Sequence, residues 1–413
     1  MRIHFLLTQD LDSPSGLGRY LPLAQGLQGL GHHVEISALH ADLASVADHH
    51  PTINGVSVHY VAPMHVHKTG NTKHYYTPVQ LGKIVAQATL SLTRSALHIP
   101  ADIVHVGKPH PMNSVAGLVA ANLGRAKLAV DCDDYEAGSS HYAGGVSGGW
   151  QRRGVTAFEN WTPRRAALVT TNTHFTQERL IALGVDPARI VYLPNGVDPH
   201  RFRTTAESEA RLADLRVRWQ LEGRPVVVYV GSMSLANHPV DLLVRAFVHV
   251  HQAIPEALLL MVGGGQDFDR VAALAGELGI GESVRFTGRV AAADAPNYYR
   301  LGHVSVDPVH DDGPARGRSP LKLFESWAVG VPFVTADVGD RHYLLGNPSA
   351  GVLVEPGDAD ALAQGLIQVL LNPTLAHTLA QRGINRISTF HWDRLAADLG
   401  TVYERIMGSN SRS

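Results

Sequence analysis

The sequence has a single cysteine, Cys132, among 413 residues. One thiol excludes an internal disulfide and any zinc site built from cysteines, and it fits a reducing compartment. The sequence also lacks an apolar run as long as a membrane span. Its first residues, MRIHFLLTQD, do not have the three-part form of a signal peptide. We therefore expect a cytoplasmic protein.

An excess of charge of one sign is also missing, since 35 lysines and arginines stand against 37 aspartates and glutamates. This balance argues against a nucleic-acid binder driven by bulk charge. Histidine is frequent, with 24 residues, but no HxxxH pair lies near a glutamate. Most of the histidines are therefore expected to be surface or packed residues rather than metal ligands.

The length and the apolar runs predict two α/β domains. A chain of 413 residues exceeds what one hydrophobic core usually serves. Short β-branched runs recur with room for one helix between them, which is typical of a parallel sheet with crossover helices. The first series is IHFLL, VEISAL, VSVHYV, ADIVHV, KLAVD, ALVTT and IVYLP, and the second is PVVVYVG, ALLLMVGGG, VRFTG, HVSVDP, VPFVTA and GVLVEP. Two doubly wound, Rossmann-like domains in tandem follow from this pattern.

The segment LPNGVDPHRF, residues 193–202, lies between the two series and carries an Asn-Gly turn and a proline. We place the hinge there, with domains at residues 1–197 and 198–389. The tail FHWDRLAADLGTVYERIM has apolar residues at helical spacing. It predicts a terminal helix over about 390–410 that packs on another element.

Ligands in open α/β sheets bind at the carboxyl ends of strands, so the loops there supply the candidate site residues. After the first strand, Gly16 and Gly18 precede a predicted helix whose free N–H groups can face an anion. A plain tight turn explains these glycines equally well, because the GxGxxG pattern is absent. The fourth strand ends in VHVGKPHPMN, which is expected to expose His105, Lys108 and His110.

The fifth strand ends in a dense acidic cluster formed by Asp131, Asp133, Asp134 and Glu136. Carboxylates this close repel each other unless cations, a metal or substrate hydroxyls satisfy them. A solvated turn with helix-capping aspartates is the alternative. Magnesium is a further option, although nothing in the spacing fixes a ligand geometry.

Glycine and polar residues also end the strands of the second series. Ser232 follows VVVYVG, Gly264 is the middle residue of a GGG run, and Arg289 follows VRFTG. The GGG run can be a mere turn, yet three glycines after a buried strand usually mean that something approaches the backbone.

The stretch RSPLKLFESWAVGVPFV, residues 318–334, places two cations and one carboxylate near the N-terminus of a predicted helix. Arg318 and Lys322 suit a diphosphate near a helix start, and Glu325 can accept two hydroxyl hydrogen bonds from a ribose. Together they describe a site for a nucleoside diphosphate. The alternative is an intrahelical ion pair between Lys322 and Glu325 on a solvated face.

The succession GLGRY, GHHVEI, LPNGVD, VVYVGSMS, LLLMVGGG, VRFTG and SPLKLFESWAVGVPFV resembles the retaining, nucleotide-sugar-dependent glycosyltransferases of family four. The resemblance covers nearly the whole chain, and the last motif is its most specific part. It implies the glycosyltransferase B fold, with two Rossmann-like domains facing across a cleft that holds the donor. It also implies that the terminal helix crosses back to the first domain.

The resemblance implies a role for each candidate. Lys322 would contact the donor diphosphate together with Arg318, Glu325 would bind the ribose, and the backbone at Arg289 and Val290 would hold the base. Asp133 would contact the sugar or the acceptor. The residues assigned to donor binding are Gly16, Gly18, Ser232, Gly264, Arg289, Val290, Lys322 and Glu325. Those assigned to catalysis are Lys322, Arg318 and Asp133, and those assigned to sugar or acceptor contacts are His105, Lys108, Asp131 and Asp134.

The sequence departs from the family pattern at three places. Gly317 stands where the first glutamate of the family's glutamate pair would be, so sugar recognition is expected to differ. Ser232 and Met233 follow the first strand of the second series where cations are common, and Arg318 is expected to restore a missing cation. Asp133 stands near the position of a common histidine.

The resemblance implies a retaining transfer without a metal or a tightly bound cofactor, with a nucleotide diphosphate sugar as co-substrate. The acceptor would be a sugar, a lipid-linked or a small-molecule hydroxyl. A nucleotide-sugar epimerase and a non-catalytic nucleotide-sugar-binding protein are the alternatives. The segment around Lys68, Lys73, Lys83 and Arg94 could be a basic face touching anionic lipid, could line the acceptor cleft, or could be a solvated helix.

Overall fold

A computed structural model of the protein describes residues 1–69, 72–124, 126–138 and 148–408, without the side chains of residues 67–69, 72–75, 137 and 148. The described chain folds around two open β-sheets. The strands of the first half are β1 Arg2–Leu7, β2 His33–His40, β3 Thr52–Ile53, β4 Val56–Pro63, β5 Val66–Thr69, β6 Thr72–Tyr75, β7 Ile103–Gly107, β8 Lys127–Cys132, β9 Leu168–Thr171 and β10 Ile190–Tyr192.

The first sheet has the strand order β10-β9-β8-β7-β1-β2-β4-β3, and β5 and β6 form a separate hairpin. Only the short edge strand β3 runs antiparallel to its neighbour in this sheet. The helices of this half are α1 Leu21–Gly29, α2 Pro78–His98, α3 Pro111–Gly124, α4 Gly148–Arg165 and α5 His174–Ala182. Because β1 lies in the middle and the strand order reverses there, the loops after β1 and β7 meet at a topological switch point.

The second sheet has six parallel strands in the order β13-β12-β11-β14-β15-β16. These strands are β11 Val226–Val230, β12 Leu258–Val262, β13 Val284–Phe286, β14 Val304–Asp307, β15 Phe333–Ala336 and β16 Val352–Val354. The helices are α6 Ala206–Arg218, α7 Val240–Ala253, α8 Phe268–Glu277, α9 Ala295–Leu301, α10 Gly313–Arg316, α11 Leu321–Ala328, α12 Arg341–Leu345, α13 Ala359–Leu371, α14 Pro373–Ile387 and α15 Trp392–Gly408.

The apolar runs of the sequence form the interior of both sheets. The β11 and β12 side chains are almost completely buried, as expected for strands covered by helices on both faces. Each predicted strand is present, and the predicted α/β fold with two doubly wound, Rossmann-like bodies is confirmed.

The chain passes between the two bodies twice, and the two passages run side by side. Val197 and His391 form a parallel bridge, and the Val197 N–H donates to the carbonyl of Phe390 at 2.9 Å. After the second passage α15 packs on α1, and the Trp392 indole donates to the carbonyl of Gly18 at 3.0 Å. The last helix therefore lies against the first body.

The glycines after β1 lie in a different local structure from the one expected. Gly16–Tyr20 is a π-helical turn that continues directly into α1, so Gly16 and Gly18 belong to the helical segment instead of preceding it.

In the basic segment, Lys83 and Arg94 are exposed on α2, whereas the side chains of Lys68 and Lys73 lie outside the described residues. Within the ranges described, no helix combines the length and the apolar character needed to cross a bilayer.

Candidate active site

The start of α11 carries Lys322 into contact with the carboxyl end of β14. The Lys322 ammonium lies 3.1 Å from Asp307 and 5.2 Å from the centre of the Tyr229 ring. The second Asp307 oxygen accepts from the fully buried Arg341 at 2.9 Å. Burial alone would raise the pKa of Asp307, but Lys322 and Arg341 together hold it well below its usual range. Two cations thus share one carboxylate, and the group keeps a net positive charge.

Arg318 lies just before α11, and its guanidinium donates to the carbonyl of Asn237 in the loop after β11 at 3.1 Å. The structure therefore brings Arg318 and Lys322 to the same edge of the second sheet. Both face the region at the carboxyl ends of its strands, where an anionic ligand of an open α/β sheet binds.

Glu325, one turn into α11, is held by two partners from other elements. The Tyr299 hydroxyl donates to one carboxylate oxygen at 2.9 Å, and Arg201 donates to the other at 3.3 Å. Lys322 pairs with Asp307 instead, so the two α11 residues do not form the intrahelical ion pair that was the alternative. Glu325 lines a cavity of about 330 Å³ together with Gly18, Arg201 and Leu321.

The glycines of the second sheet allow two loops to approach each other. A Cβ on Gly263, which has a φ of +129°, would lie 2.0 Å from the carbonyl oxygen of Gly231. A Cβ on Gly265 would lie 2.2 Å from the carbonyl oxygen of Met233. The close approach expected from the GGG run is thus made by the neighbouring loop of the protein.

The other donor-binding candidates lie around these loops. Gly264 is buried and its carbonyl accepts from the Met233 N–H at 3.0 Å. Ser232 is exposed, Arg289 is exposed and Val290 is partly buried. The loops after β11, β12 and β13 therefore leave backbone and small polar groups open at one edge.

Gly16 and Gly18 have packing reasons for being glycine. A Cβ on Gly16 would lie 2.2 Å from the carbonyl oxygen of Asp10 in the same loop. A Cβ on Gly18 would lie 2.8 Å from the Leu321 side chain, which belongs to α11. The loop after β1 therefore touches the helix that carries Lys322 and Glu325.

Asp131 needs a correction, because it is paired inside the protein and is not exposed at the strand end. It is fully buried and forms a two-bond ion pair with the equally buried Arg19, with both N–O distances at 2.7 Å. Thr170 donates to the same carboxylate at 2.6 Å. Burial would raise the pKa of Asp131, but the Arg19 guanidinium lowers it. Its role in the structure is to hold Arg19, which the sequence analysis did not single out.

His105 also needs a correction. It lies inside β7, is completely buried, and stacks on Phe5 with 4.7 Å between ring centres. Its Nδ1 contacts the Tyr403 hydroxyl of α15, and burial lowers its pKa to about 4. The strand continues two residues beyond His105, so this side chain points into the core and not into the loop.

Lys108 supplies the cation that the acidic cluster needs. Its ammonium contacts Asp134 and lies 3.0 Å from Glu136 and 3.9 Å from Asp133. Burial opposes the charge, but the three carboxylates raise the pKa of Lys108 above its usual value. Among the described residues, no group of three or more His, Cys, Asp or Glu side chains is arranged to hold a metal ion.

Asp133 differs from its neighbours because one of its carboxyl oxygens is buried without a hydrogen-bond partner. Only 4% of the residue is exposed. Burial raises its pKa to about 8, with Lys108 opposing and the nearby carboxylates adding to the shift. The raised pKa favours the protonated form, in which this carboxyl can donate a hydrogen bond.

The two halves of the site were separate in the sequence and touch in the structure. Besides the contact of Gly18 with Leu321, a Cβ on Gly317 would lie 2.9 Å from the Cβ of Tyr135, which lies within the acidic cluster between Asp134 and Glu136. The loop that carries the acidic cluster thus touches the segment just before α11. The residues missed by sequence reasoning are Arg19, Arg201, Tyr299, Asp307 and Arg341, of which only Asp307, at the end of HVSVDP, had a strand-end signal.

Comparisons with known proteins agree with this architecture. Residues 15–196 match the model of the glycosyl transferase 4-like domain, and residues 224–372 match that of glycosyl transferases group 1. The sucrose-phosphate synthase of Thermosynechococcus elongatus superposes with a TM-score of 0.75 at 19% identity over 99% of each chain. Anabaena HepE, solved with UDP and glucose, gives a TM-score of 0.71 at 18% identity over 98% of this chain and 100% of HepE.

Curated relatives align over a part of their length. A GDP-mannose-dependent alpha-(1-6)-phosphatidylinositol monomannoside mannosyltransferase of Mycobacterium tuberculosis is 29% identical over 56% of this chain and 60% of its own. A D-inositol 3-phosphate glycosyltransferase of Salinispora arenicola is 33% identical over 53% of this chain and 50% of its own. The chain thus spans between half and two thirds of these relatives. It carries a glycosyl transferase 4-like domain followed by a glycosyl transferases group 1 domain, in the glycosyltransferase B fold.

Proposed function

We propose that the protein transfers a sugar from a nucleotide diphosphate sugar to an acceptor hydroxyl, with retention of configuration and without a metal. The observation that carries the proposal is the α11 start at the carboxyl edge of the second sheet, where Arg318 lies just before the helix and Lys322 lies one turn before Glu325. The donor unit is assigned to residues 198–389 and the acceptor unit to residues 1–197, with α15 packing back on the latter.

In this proposal Lys322 and Arg318 stabilise the negative charge that develops on the departing diphosphate. Two charged donors at a fixed site can supply this without reorganisation during the reaction. The bond between the anomeric carbon and the phosphate oxygen breaks as the acceptor oxygen attacks from the same face. The leaving phosphate oxygen takes the acceptor proton, so no separate protein base is required.

Glu325 is assigned to the ribose hydroxyls, and the backbone at Arg289 and Val290 to the base. The loops at Ser232 and Gly264, together with Gly16 and Gly18, would surround the phosphates. Asp133, whose pKa is raised by burial, is assigned to a hydroxyl or ring oxygen of the transferred sugar or of the acceptor.

The comparisons narrow the substrates to be tried first. One relative is named as GDP-mannose-dependent, and HepE was solved with UDP and glucose. The named acceptors of the relatives are an inositol phosphate and a phosphatidylinositol mannoside. We therefore propose a polyol or sugar hydroxyl as acceptor, either free or carried on a lipid that the protein would reach from the cytoplasm.

The decisive experiment measures binding of GDP and UDP by calorimetry and turnover of GDP-mannose and UDP-glucose by NMR of the anomeric proton, with and without EDTA. Lys322→Gln should weaken diphosphate binding about tenfold or more, since a charged hydrogen bond is lost. Arg316→Gln is the matched control, because Arg316 is exposed and pairs only locally with Asp311.

Glu325→Gln should weaken binding by about 1–3 kcal/mol if the carboxylate holds the ribose. Tyr299→Phe removes a partner of Glu325 but leaves the carboxylate, so it should bind nucleotide nearly as wild type does. Retained configuration in the product supports a transferase, interconversion of the donor sugar supports an epimerase, and binding without turnover supports a binding protein. No binding of either nucleotide would reject the donor site.

A further inference from the structure

A buried chain of four polar side chains connects the core of the first sheet to the start of α11. Arg19 bonds to Asp131 through two of its nitrogens and donates from the third, Nη1, to the side-chain oxygen of Asn195 at 2.9 Å. Asn195 in turn contacts Ser319. Arg19, Asp131 and Ser319 are at most 2% exposed, and Asn195 is 8% exposed. We call Asp131, Arg19, Asn195 and Ser319 the relay.

Asn195 uses both the oxygen and the NH₂ group of its side-chain amide in the relay. Its oxygen accepts from Arg19, while its side-chain NH₂ donates to the Ser319 carbonyl at 2.8 Å. Its backbone N–H donates to the Ser319 hydroxyl at 3.2 Å. A carboxylate in the same place could still accept from Arg19, but it could not donate to the Ser319 carbonyl.

Ser319 lies in the short segment that leads into α11, next to the proposed diphosphate-binding residues. Arg318 precedes it, Pro320 is the N-cap of α11, and Lys322 is the second residue of the helix. The N-cap side chain of α11 makes no capping hydrogen bond of its own. The bonds from Asn195 therefore hold Ser319, which directly follows Arg318 and lies three residues before Lys322.

We propose that Asn195 is a positioning residue that fixes the start of α11 through Ser319, with the Arg19–Asp131 pair as its anchor in the first sheet. Asn195 lies in the chain segment that joins the two bodies. The relay therefore positions Arg318 and Lys322 through contacts with the first body, which is the proposed acceptor unit. The consequence for diphosphate binding rests on the proposed function, whereas the structural role does not.

Asn195→Asp tests the relay, because it keeps the acceptor for Arg19 and removes the donor to Ser319. Hydrogen exchange measured by mass spectrometry should become about tenfold faster in peptides covering residues 318–328 and remain unchanged in β11 and β12. Asn122→Asp makes the same chemical change on the exposed face of α3 and is the matched control. Ser319→Ala removes one of the two acceptors and should give a smaller acceleration in the same peptides.

The binding experiment adds a functional readout. In Asn195→Asp the affinity for the nucleoside diphosphate should fall about tenfold, while that for the corresponding nucleoside should fall less, because Tyr299 and Arg201 still hold Glu325. Unchanged exchange over residues 318–328, or equal acceleration throughout the second sheet, overturns the relay. If the Asp variant does not fold, the exchange of Ser319→Ala decides in the same way. A wild-type protein that binds no nucleotide rejects the proposed function, and the exchange result still decides on the relay.

Discussion

Asp133 shows how burial decides the chemistry of a single carboxyl group. Lys108 has closer partners in Asp134 and Glu136, so its charge compensates Asp133 only partly across 3.9 Å. The remaining cost of burying a negative charge favours the protonated acid and raises its pKa to about 8. A group that is usually only an acceptor thereby gains a tendency to act as a donor.

This shift predicts a pH dependence of stability that Asp133→Asn should remove. The unfolded carboxyl titrates near 3.8, while the folded one titrates at about 8, so the folded state holds one more proton between these values. The stabilising effect is therefore complete below the lower value and is lost as the pH rises through the upper one. Urea unfolding of both proteins across this range measures the difference. Parallel stability curves for the two proteins would show that Asp133 ionises normally.

At the scale of elements, the contact between α1 and α15 depends on one glycine. A Cβ on Gly26 would lie 2.6 Å from the Cβ of Ala396 on α15, which is closer than two methyl groups can approach. Trp392, Leu399 and Tyr403 of α15 are buried in the same interface. The absence of a side chain at Gly26 thus allows the last helix to cover the first sheet.

Gly26→Ala should destabilise the protein by about 1–3 kcal/mol, because it overpacks this interface. Gly29→Ala is the matched control, since it lies in the same helix and a Cβ there would meet nothing within 4 Å. The control should be neutral or slightly stabilising, because alanine favours the helix over glycine. Thermal unfolding compares the two variants, and equal melting temperatures would mean that α15 can shift without cost.

At the scale of the molecule, a further contact joins the two bodies away from the relay. Asp340, which is 5% exposed and lies just before α12, accepts from the His174 backbone N–H at 3.1 Å and contacts the His174 ring at 2.9 Å. The His174 ring stacks on Tyr192 at 4.5 Å and meets the edge of Tyr343 at 5.0 Å. This contact closes the cleft on the side of α5 and α12.

Asp340→Ala should shift the protein without ligand toward a more open arrangement. The lost hydrogen bonds involve a charged acceptor and contribute about 1–3 kcal/mol to the closed form. Small-angle X-ray scattering should then give a larger radius of gyration than for wild type. Asp337→Ala is the control, because Asp337 is exposed and lies 3.7 Å from His342 of the same segment. An unchanged radius in Asp340→Ala would show that other contacts keep the cleft closed.

Much of the fold could be predicted from local patterns, but the pairing of charges could not. The β-branched runs indicated every strand of the two sheets except the short β3, because burial on both faces requires continuous apolar sequence. They did not indicate the separate β5–β6 hairpin. The partners of Glu325 were not predictable, since Arg201 lies 124 residues away in the chain. His105 was misplaced for a related reason, because only the packing of α15 shows on which side of β7 it lies.

The sequence by itself determined the succession of strands and helices along the chain and the glycine-rich strand ends. It also determined the placement of Lys322 and Glu325 on one short helix. These features follow from the spacing of residues close in the chain. The tertiary structure decided which carboxylates are neutralised, since Arg19 reaches Asp131 across 112 residues and Lys108 reaches Asp134 across 26. Electrostatic pairing depends on distances in space and on burial, and both arise only when the two sheets and α15 are packed together.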